Sequence, residues 1–166
     1  MKIWIPLEED PPRITAQEKG EKIEYTWKNG RYIPYIKHFE KREVENVRNF
    51  YYVAMLNAAH KRGYKTLPKF DGPVYLCVMF IFKAKRKKDI GEPKTTKPDV
   101  DNMLKLLIDV IGGKKNGLDM FAVGDQQITE LEAYKFYSDQ PGIYIEIGPV
   151  VDLPEIPYEI RRQDDE

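Results

Sequence analysis

The sequence KPDVDNMLKLLIDVIGG occupies residues 97–113 and predicts the helix around which the rest of the chain is arranged. Helical residues advance by about 100° each, so Asp101, Lys105 and Asp109 fall along one side of such a helix. The other side is apolar and consists of Met103, Leu104, Leu106, Leu107, Val110 and Ile111. Two glycines follow, as is typical of a helix end. We therefore predict an amphipathic helix over about Asp99–Ile111.

Extended segments flank this helix on both sides. Val74–Phe82 is apolar at nearly every position, which is typical of a central strand covered on both faces. Val123–Phe136 and Ile143–Ile147 are predicted to be extended, with a turn at Pro141-Gly142 between them. Upstream, from about Phe39 to Arg62, apolar residues recur at steps of three and four, which predicts a second helix.

The first forty residues are predicted to contribute strands. Lys2–Pro6 reads as a short strand, and Asn29-Gly30 between two runs of period two is a strong hairpin signal. Pro34 in the second run indicates an edge strand. The order β, ββ, α, β, α, β, β predicts a single α+β domain in which two main helices pack on a mixed β-sheet. We place this domain at residues 1–150 and an acidic C-terminal tail at residues 151–166.

The charge balance constrains how this chain could bind a polyanion. Its 166 residues include 27 Lys and Arg and 27 Asp and Glu, so a nucleic-acid contact requires local segregation of charge. The single cysteine, Cys77, cannot form an internal disulfide, and it has no zinc-ligand spacing to His38 or His60. The longest apolar run is far shorter than the about 20 residues that a bilayer requires. We expect a cytoplasmic protein without a signal peptide or membrane segment.

Four side chains in and near the predicted helix form a candidate catalytic set. Asp99 and Asp101 lie at the helix start, Lys105 follows one turn later, and Asp125 comes from a distant segment. Carboxylate oxygens suit Mg²⁺, with Mn²⁺ as a substitute, so we predict that the three aspartates bind metal. Lys105 would neutralise a phosphate or orient the attacking water. This chemistry suits hydrolysis of a phosphodiester bond.

Each of these residues also has an ordinary structural interpretation. Asp99 is a favoured N-cap residue, and Asp101 in the first turn complements the helix dipole. Asp101 and Lys105 are spaced for an ion pair worth about 0.2–0.5 kcal/mol on a solvated helix face. Asp125 suits a turn. Spacing alone therefore does not identify an enzyme.

The sequence resembles the RusA-type Holliday junction resolvases, most specifically from about Val74 to Ile147. The similar features are an Asp-x-Asp-Asn element opening a helix, a lysine and an aspartate further along that helix, a later Asp-x-Gln-Ile element, a hydrophobic strand and a lysine beyond it, a closing strand and an early proline-rich loop. In this chain they are Asp99–Asn102, Lys105, Asp109, Asp125–Ile128, Leu131 with Lys135, Gly142–Ile147 and Pro11-Pro12-Arg13.

The resemblance implies a magnesium-dependent endodeoxyribonuclease that acts as a homodimer on four-way DNA junctions in recombination and repair. It implies that Asp99, Asp101 and Asp125 bind the metal and that Lys105 is catalytic. Many family members carry two aspartates where this chain has Gly124-Asp125, so its pocket is expected to be less acidic. One alternative is a protein that binds branched or single-stranded DNA through a degenerate nuclease site. A nuclease that prefers flaps or replication forks is a third hypothesis.

A basic loop precedes the predicted catalytic helix. Between residues 83 and 97, seven cations stand against two carboxylates, and we predict that the cations contact DNA phosphates. These residues are Lys83, Lys85, Arg86, Lys87, Lys88, Lys94 and Lys97. The other interpretation is a solvated loop. Four aromatic residues, Trp27, Tyr32, Tyr35 and Tyr64, could stack on unpaired bases, or else pack within the chain or line a dimer seam.

Overall fold

The computed structural model describes residues 1–13, 19–115 and 117–152. Most of the predicted acidic tail, residues 153–166, lies outside the described residues. Along the chain the main elements are β1 (Lys2–Pro6), β2 (Lys19–Lys28), β3 (Arg31–Glu40), α1 (Arg42–Lys61), β4 (Val74–Lys83), α2 (Val100–Gly112), β5 (Ile128–Ser138) and β6 (Gly142–Pro149). The predicted α+β class with two main helices is confirmed.

The main sheet has four strands in the order β1-β6-β4-β5. β6 pairs antiparallel with β1 and with β4, whereas β5 pairs parallel with β4, so the sheet is mixed as predicted. A parallel pair needs a crossover between its strands, and here the crossover contains α2. The segment with all four candidate catalytic residues therefore connects two neighbouring strands.

One face of the sheet forms the core with both helices. Alternate residues of β4, including Leu76, Val78 and Phe80, are fully buried, because side chains alternate between the faces of a strand. They pack in one cluster with residues of α1 such as Tyr51 and with the apolar side of α2. On the other face of β4, Met79 is only half-buried. Cys77 on that same face is buried at 3% exposure, so the prediction of a strand covered on both faces is correct for the core face and partly correct for the other.

The hairpin is present, but it does not join the main sheet. β2 and β3 form a separate two-stranded sheet with register from Lys28↔Arg31 to Lys19↔Glu40. The turn has positive φ at Asn29 (52°) and Gly30 (77°), as the Asn-Gly signal predicts. Cross-strand pairing extends β3 to residue 40, so the predicted helix start at Phe39 is wrong and α1 begins at Arg42. Neither helix in the described ranges is long and apolar enough to cross a membrane.

Candidate active site

Helix α2 has the predicted amphipathic form. Its six predicted apolar residues are the ones that are buried, whereas Asp101 and Lys105 are exposed and Asp109 is half-buried. Asp99 is the N-cap residue of the helix. Burial of the apolar side thus fixes the direction in which the polar stripe faces.

The ordinary interpretations of the acidic residues are correct in position, because Asp101 lies in the first turn of α2 and Asp125 begins a single 3-10 turn, but the expected side-chain bonds are not formed among the described residues. Asp99 occupies the N-cap, but its side chain makes no capping hydrogen bond. No hydrogen bond or ion pair joins the carboxylate of Asp99, Asp101 or Asp125 to another described residue. The possible Asp101–Lys105 pair is likewise not formed within the described part of the chain. These carboxylates remain available as oxygen ligands.

The chain turns back along α2 and thereby carries Asp125 to that helix. The Leu118 N–H donates to the Val110 carbonyl at 2.8 Å, and the Met120 N–H donates to the Ile111 carbonyl at 3.0 Å. This return requires a glycine, since a Cβ atom at Gly117 would lie 2.4 Å from the Val110 oxygen. The close backbone approach holds the returning segment against the helix end.

Gln127 fixes the loop that carries Asp125. Its side-chain oxygen accepts from the N–H groups of Val123 (2.7 Å) and Gly124 (3.3 Å). Its amide nitrogen donates to the carbonyls of Phe70 (3.0 Å) and Gly72 (2.9 Å). Gln127 is 9% exposed, so these bonds are shielded from competing water. The glutamine of the Asp-x-Gln element therefore acts as a clamp behind the aspartate.

The carboxylates do not all converge at one point. Asp125 and Asp109 line a cavity of about 230 Å³ together with Gly112 and Gly124. Asp101 lies eight residues before Asp109, which is about 12 Å along a helix axis. Within the described ranges, no group of three His, Cys, Asp or Glu side chains is close enough to hold a metal ion. The predicted three-aspartate metal site is not assembled in this structure.

Lys135 on β5 holds the segment that leads into Asp99. Its ammonium group donates to the backbone carbonyls of Thr96 (2.9 Å) and Pro98 (2.5 Å). Lys135 pairs in register with Phe80 of β4, on the side of the sheet that faces the core. A lysine at an inward-facing position of a strand could have indicated that Lys135 binds a buried polar group. The sequence pattern alone could not show that this group is the pair of backbone carbonyls of Thr96 and Pro98.

The cations of the basic loop divide into those whose side chains bind another described residue and those whose side chains do not. Four lysines are exposed, namely Lys85, Lys87, Lys88 and Lys97. Their ammonium groups make no hydrogen bond or ion pair with another described residue. Arg86 is bound by Asp89 through two bonds of 2.9 Å. The ammonium group of Lys83 donates to the Asp139 carbonyl at 2.5 Å, and the Lys83 N–H donates to Asp10, next to the early proline-rich loop.

Lys94 does not fit the prediction that it contacts phosphate. Its side chain is 8% exposed, and its ammonium group donates to the Thr96 hydroxyl. It also lies 4.9 Å from the ring centre of Phe82 and 5.4 Å from that of Tyr137, a cation–π arrangement. Lys94 thus stabilises the loop from inside.

The four aromatic residues also separate into two groups. Tyr64 packs against the core, so the interpretation that it packs within the chain is correct. Trp27, Tyr32 and Tyr35 are exposed at 62%, 69% and 44% on the β2–β3 hairpin.

Comparison with known proteins identifies one family. A family model described as Endodeoxyribonuclease RusA matches residues 30–148, a range that includes both helices, β3 to β5, all but the last residue of β6 and the four candidate catalytic residues. The uncharacterized protein YqaN of Bacillus subtilis (strain 168) is 32% identical over 111 residues, which cover 60% of this chain and 70% of YqaN. The crossover junction endodeoxyribonuclease rusA of Lactococcus phage r1t is 37% identical over 78 residues, covering 47% of this chain and 56% of the phage protein.

Proposed function

The chain belongs to the RusA family of endodeoxyribonucleases, and we propose that it resolves four-way DNA junctions by magnesium-dependent paired nicking. The products would carry 5′-phosphate and 3′-hydroxyl ends. We place this activity in the cytoplasm, in DNA recombination and repair. The active form would be a homodimer, because two-fold symmetry presents two active sites to a symmetric junction.

The observation that carries the proposal is that the candidate metal-binding carboxylates in and near α2 are exposed and not bonded to other described residues. Asp99, Asp101 and Asp125 are exposed, and their carboxylate groups make no hydrogen bond or ion pair with another described residue. As hard oxygen donors they fit Mg²⁺ or Mn²⁺ in chemistry, although they are not gathered around one point. Bound metal would supply an activated nucleophile and neutralise charge on the phosphate.

The chain's own residues would position and neutralise the scissile phosphate. Lys105 is exposed on the same stripe as Asp101, so its ammonium group would offset charge that builds on the phosphate oxygens. The exposed lysines of the basic loop, Lys85, Lys87, Lys88 and Lys97, would hold the flanking DNA backbone. This attraction would bring a polyanion to an acidic site that otherwise repels it.

The decisive experiment is cleavage of an end-labelled four-way junction by the purified chain, with and without Mg²⁺. We expect symmetric nicks that require the metal, loss of cleavage in Asp101→Asn with junction binding retained, and a slower single-turnover rate in Lys105→Ala. Asp71→Asn and Lys115→Ala are the matched controls, since both positions are exposed and lie outside the candidate catalytic set. Full cleavage by Asp101→Asn would remove Asp101 from the mechanism.

A second candidate function is binding of branched or single-stranded DNA without cleavage. It is favoured by the lack of a three-carboxylate cluster in the described residues and by Gly124, which stands where many relatives have an aspartate. Tight junction binding with no product at any Mg²⁺ or Mn²⁺ concentration would support it. A panel of flaps and forks in the same assay tests the third hypothesis, a different substrate preference.

A further inference from the structure

One face of the β2–β3 hairpin is apolar and aromatic over its three cross-strand pairs nearest the turn. Residues directly opposite one another in an antiparallel pair lie on the same face, as do alternate residues along a strand. On this face the three pairs nearest the turn are Trp27↔Tyr32, Tyr25↔Pro34 and Ile23↔Ile36. The rings of Trp27 and Tyr32 meet edge to face with centroids 4.7 Å apart, which confirms their common face.

This apolar face is not covered by the part of the chain that the structure describes. Five of its side chains are 60–69% exposed: Ile23, Tyr25, Trp27, Tyr32 and Ile36. An isolated two-stranded hairpin is at best marginally stable in water. With up to about 150–250 Å² available from each aromatic side chain, the face offers on the order of 700 Å². That is near the roughly 800 Å² that each partner buries in a stable interface.

The opposite face of the hairpin is mostly polar, with Ile33 as an apolar member, and several of its polar side chains bind one another. Glu24 binds Lys22 at 2.7 Å and Lys37 at 3.1 Å, and it accepts a hydrogen bond of 2.8 Å from the Tyr35 hydroxyl. The charges of the hairpin tip are thus segregated onto one face. A surface that binds DNA needs cations to replace the counterions of the phosphates, and the three apolar pairs contain none.

We infer that the apolar face of the β2–β3 hairpin packs against the same face of a second copy of this chain. The inference rests on the homodimer of the proposed function and assigns its contact surface. A surface patch that packs against the same patch of a second copy gives a closed two-fold dimer. Such packing would also bury an apolar area that is larger than the exposed patches usual on monomeric proteins. The candidate catalytic residues all come from one chain, so each protomer keeps its own site.

The first test measures the dimer dissociation constant by sedimentation velocity for the full chain and single variants. Tyr25→Lys and Trp27→Lys place a cation in the apolar face, and we expect each to raise the dissociation constant by on the order of 100-fold. Thr26→Lys is the matched control, because Thr26 is exposed on the same strand but faces the polar side. We expect it to dimerise like the unmodified chain.

The second test leaves the hairpin unchanged. The chain has two tryptophans, so Trp4→Phe makes Trp27 the only indole reporter. We expect its fluorescence to shift to shorter wavelength, and its quenching by acrylamide to fall, as protein concentration rises through the dimer range. This result would be independent of any effect of a lysine on hairpin folding.

Three results would overturn the inference: a chain that stays monomeric, a dimer in which Trp27 remains fully quenchable, or lysine variants that dimerise normally. Shielding of Trp27 only after junction DNA is added would instead assign the face to base stacking. Failure of the nuclease proposal can be distinguished from failure of the dimer inference, because Asp101→Asn tests cleavage and leaves the hairpin unchanged. A monomeric Tyr25→Lys variant should still nick one strand while losing paired incision.

Discussion

The ammonium group of Lys135 lies 2.5 Å from the carbonyl oxygen of Pro98, the residue immediately before Asp99. A second bond, of 2.9 Å, reaches the Thr96 carbonyl. Strand β5 thus holds the backbone from which the first candidate metal ligand projects. In metal sites, groups that orient the ligands are often as necessary as the ligands themselves.

Lys135→Met should impair cleavage without removing a catalytic group. The methionine keeps most of the apolar stem but cannot donate to the Thr96 and Pro98 carbonyls. We expect the Mg²⁺ concentration for half-maximal cleavage to rise by about 10-fold or more, with metal-free junction binding little changed. A magnesium titration of single-turnover rates, beside Lys115→Met as control, measures this. An unchanged magnesium requirement would show that Lys135 has no positioning role.

Gln127→Ala should destabilise the fold as well as the Asp125 loop. The substitution leaves the Gly72 carbonyl and the N–H groups of Val123 and Gly124 without their partner, whereas the Phe70 carbonyl keeps its bond from the Ala122 N–H. An unpaired buried group costs about 1–3 kcal/mol. We expect the free energy of unfolding in urea to fall by about 2 kcal/mol or more. Gln126→Ala is the control, because that side chain is exposed. Equal stability of the two variants would argue against the clamp.

Gly124→Asp should strengthen metal-dependent cleavage. The φ of Gly124 is 163°, an extended conformation open to any residue, and a Cβ atom there would meet only the movable side chain of Gln126. A second carboxylate beside Asp125 should lower the Mg²⁺ requirement, whereas Gly124→Asn should not. A variant that folds but gains no activity would favour the DNA-binding alternative.

Junction binding should depend steeply on salt through the exposed lysines of the basic loop. Each phosphate contact contributes about 0.9 to the slope of log K against log salt, so Lys87→Ala/Lys88→Ala should reduce that slope by about 2. Lys94→Met should leave the slope unchanged, because Lys94 is buried. Fluorescence anisotropy of a labelled junction between low and physiological salt gives both slopes. A smaller slope of log K against log salt in Lys94→Met would contradict the conclusion that the buried Lys94 does not contact DNA.

The hairpin should lose stability in acid. Lys22 first, and then Tyr35 and Lys37, lower the pKa of Glu24 from 4.5 to about 2. A carboxylate whose pKa is lower in the folded state stabilises that state above its ordinary pKa, so the contribution should disappear as the pH falls from about 4.5 to about 2. NMR titration of the Glu24 carboxyl carbon measures the pKa, with Glu24→Gln as the pH-insensitive comparison. A midpoint near 4.5 would refute the cluster.

Sequence patterns were sufficient to predict the features that depend on neighbouring residues within one helix, strand or turn. The buried side of α2, the strand at Val74 and the turn at Asn29-Gly30 could all be predicted, because periodicity and positive φ are properties of neighbouring residues. The length of β3 could not be predicted, since Phe39 is extended through pairing with β2.

The missed features of the site depend on contacts between distant segments. The clamp by Gln127 requires the Phe70 carbonyl to lie beside it, and the burial of Lys94 requires the rings of Phe82 and Tyr137. The candidate site residues could be predicted from their type and spacing. The separation of Asp125 from Asp101 could not, because it depends on where the chain turns back along α2.

The parallel pairing of β4 with β5 has a consequence for biosynthesis. Every candidate catalytic residue lies in the connection between Lys83 and Ile128, the end of one strand and the start of the other. Pairing across such a long connection forms late, because loop closure must precede its contacts. A nascent chain still emerging from the ribosome lacks β5, and with it the lysine that steadies Asp99. The backbone before Asp99 would therefore be held in place only after β5 has been translated.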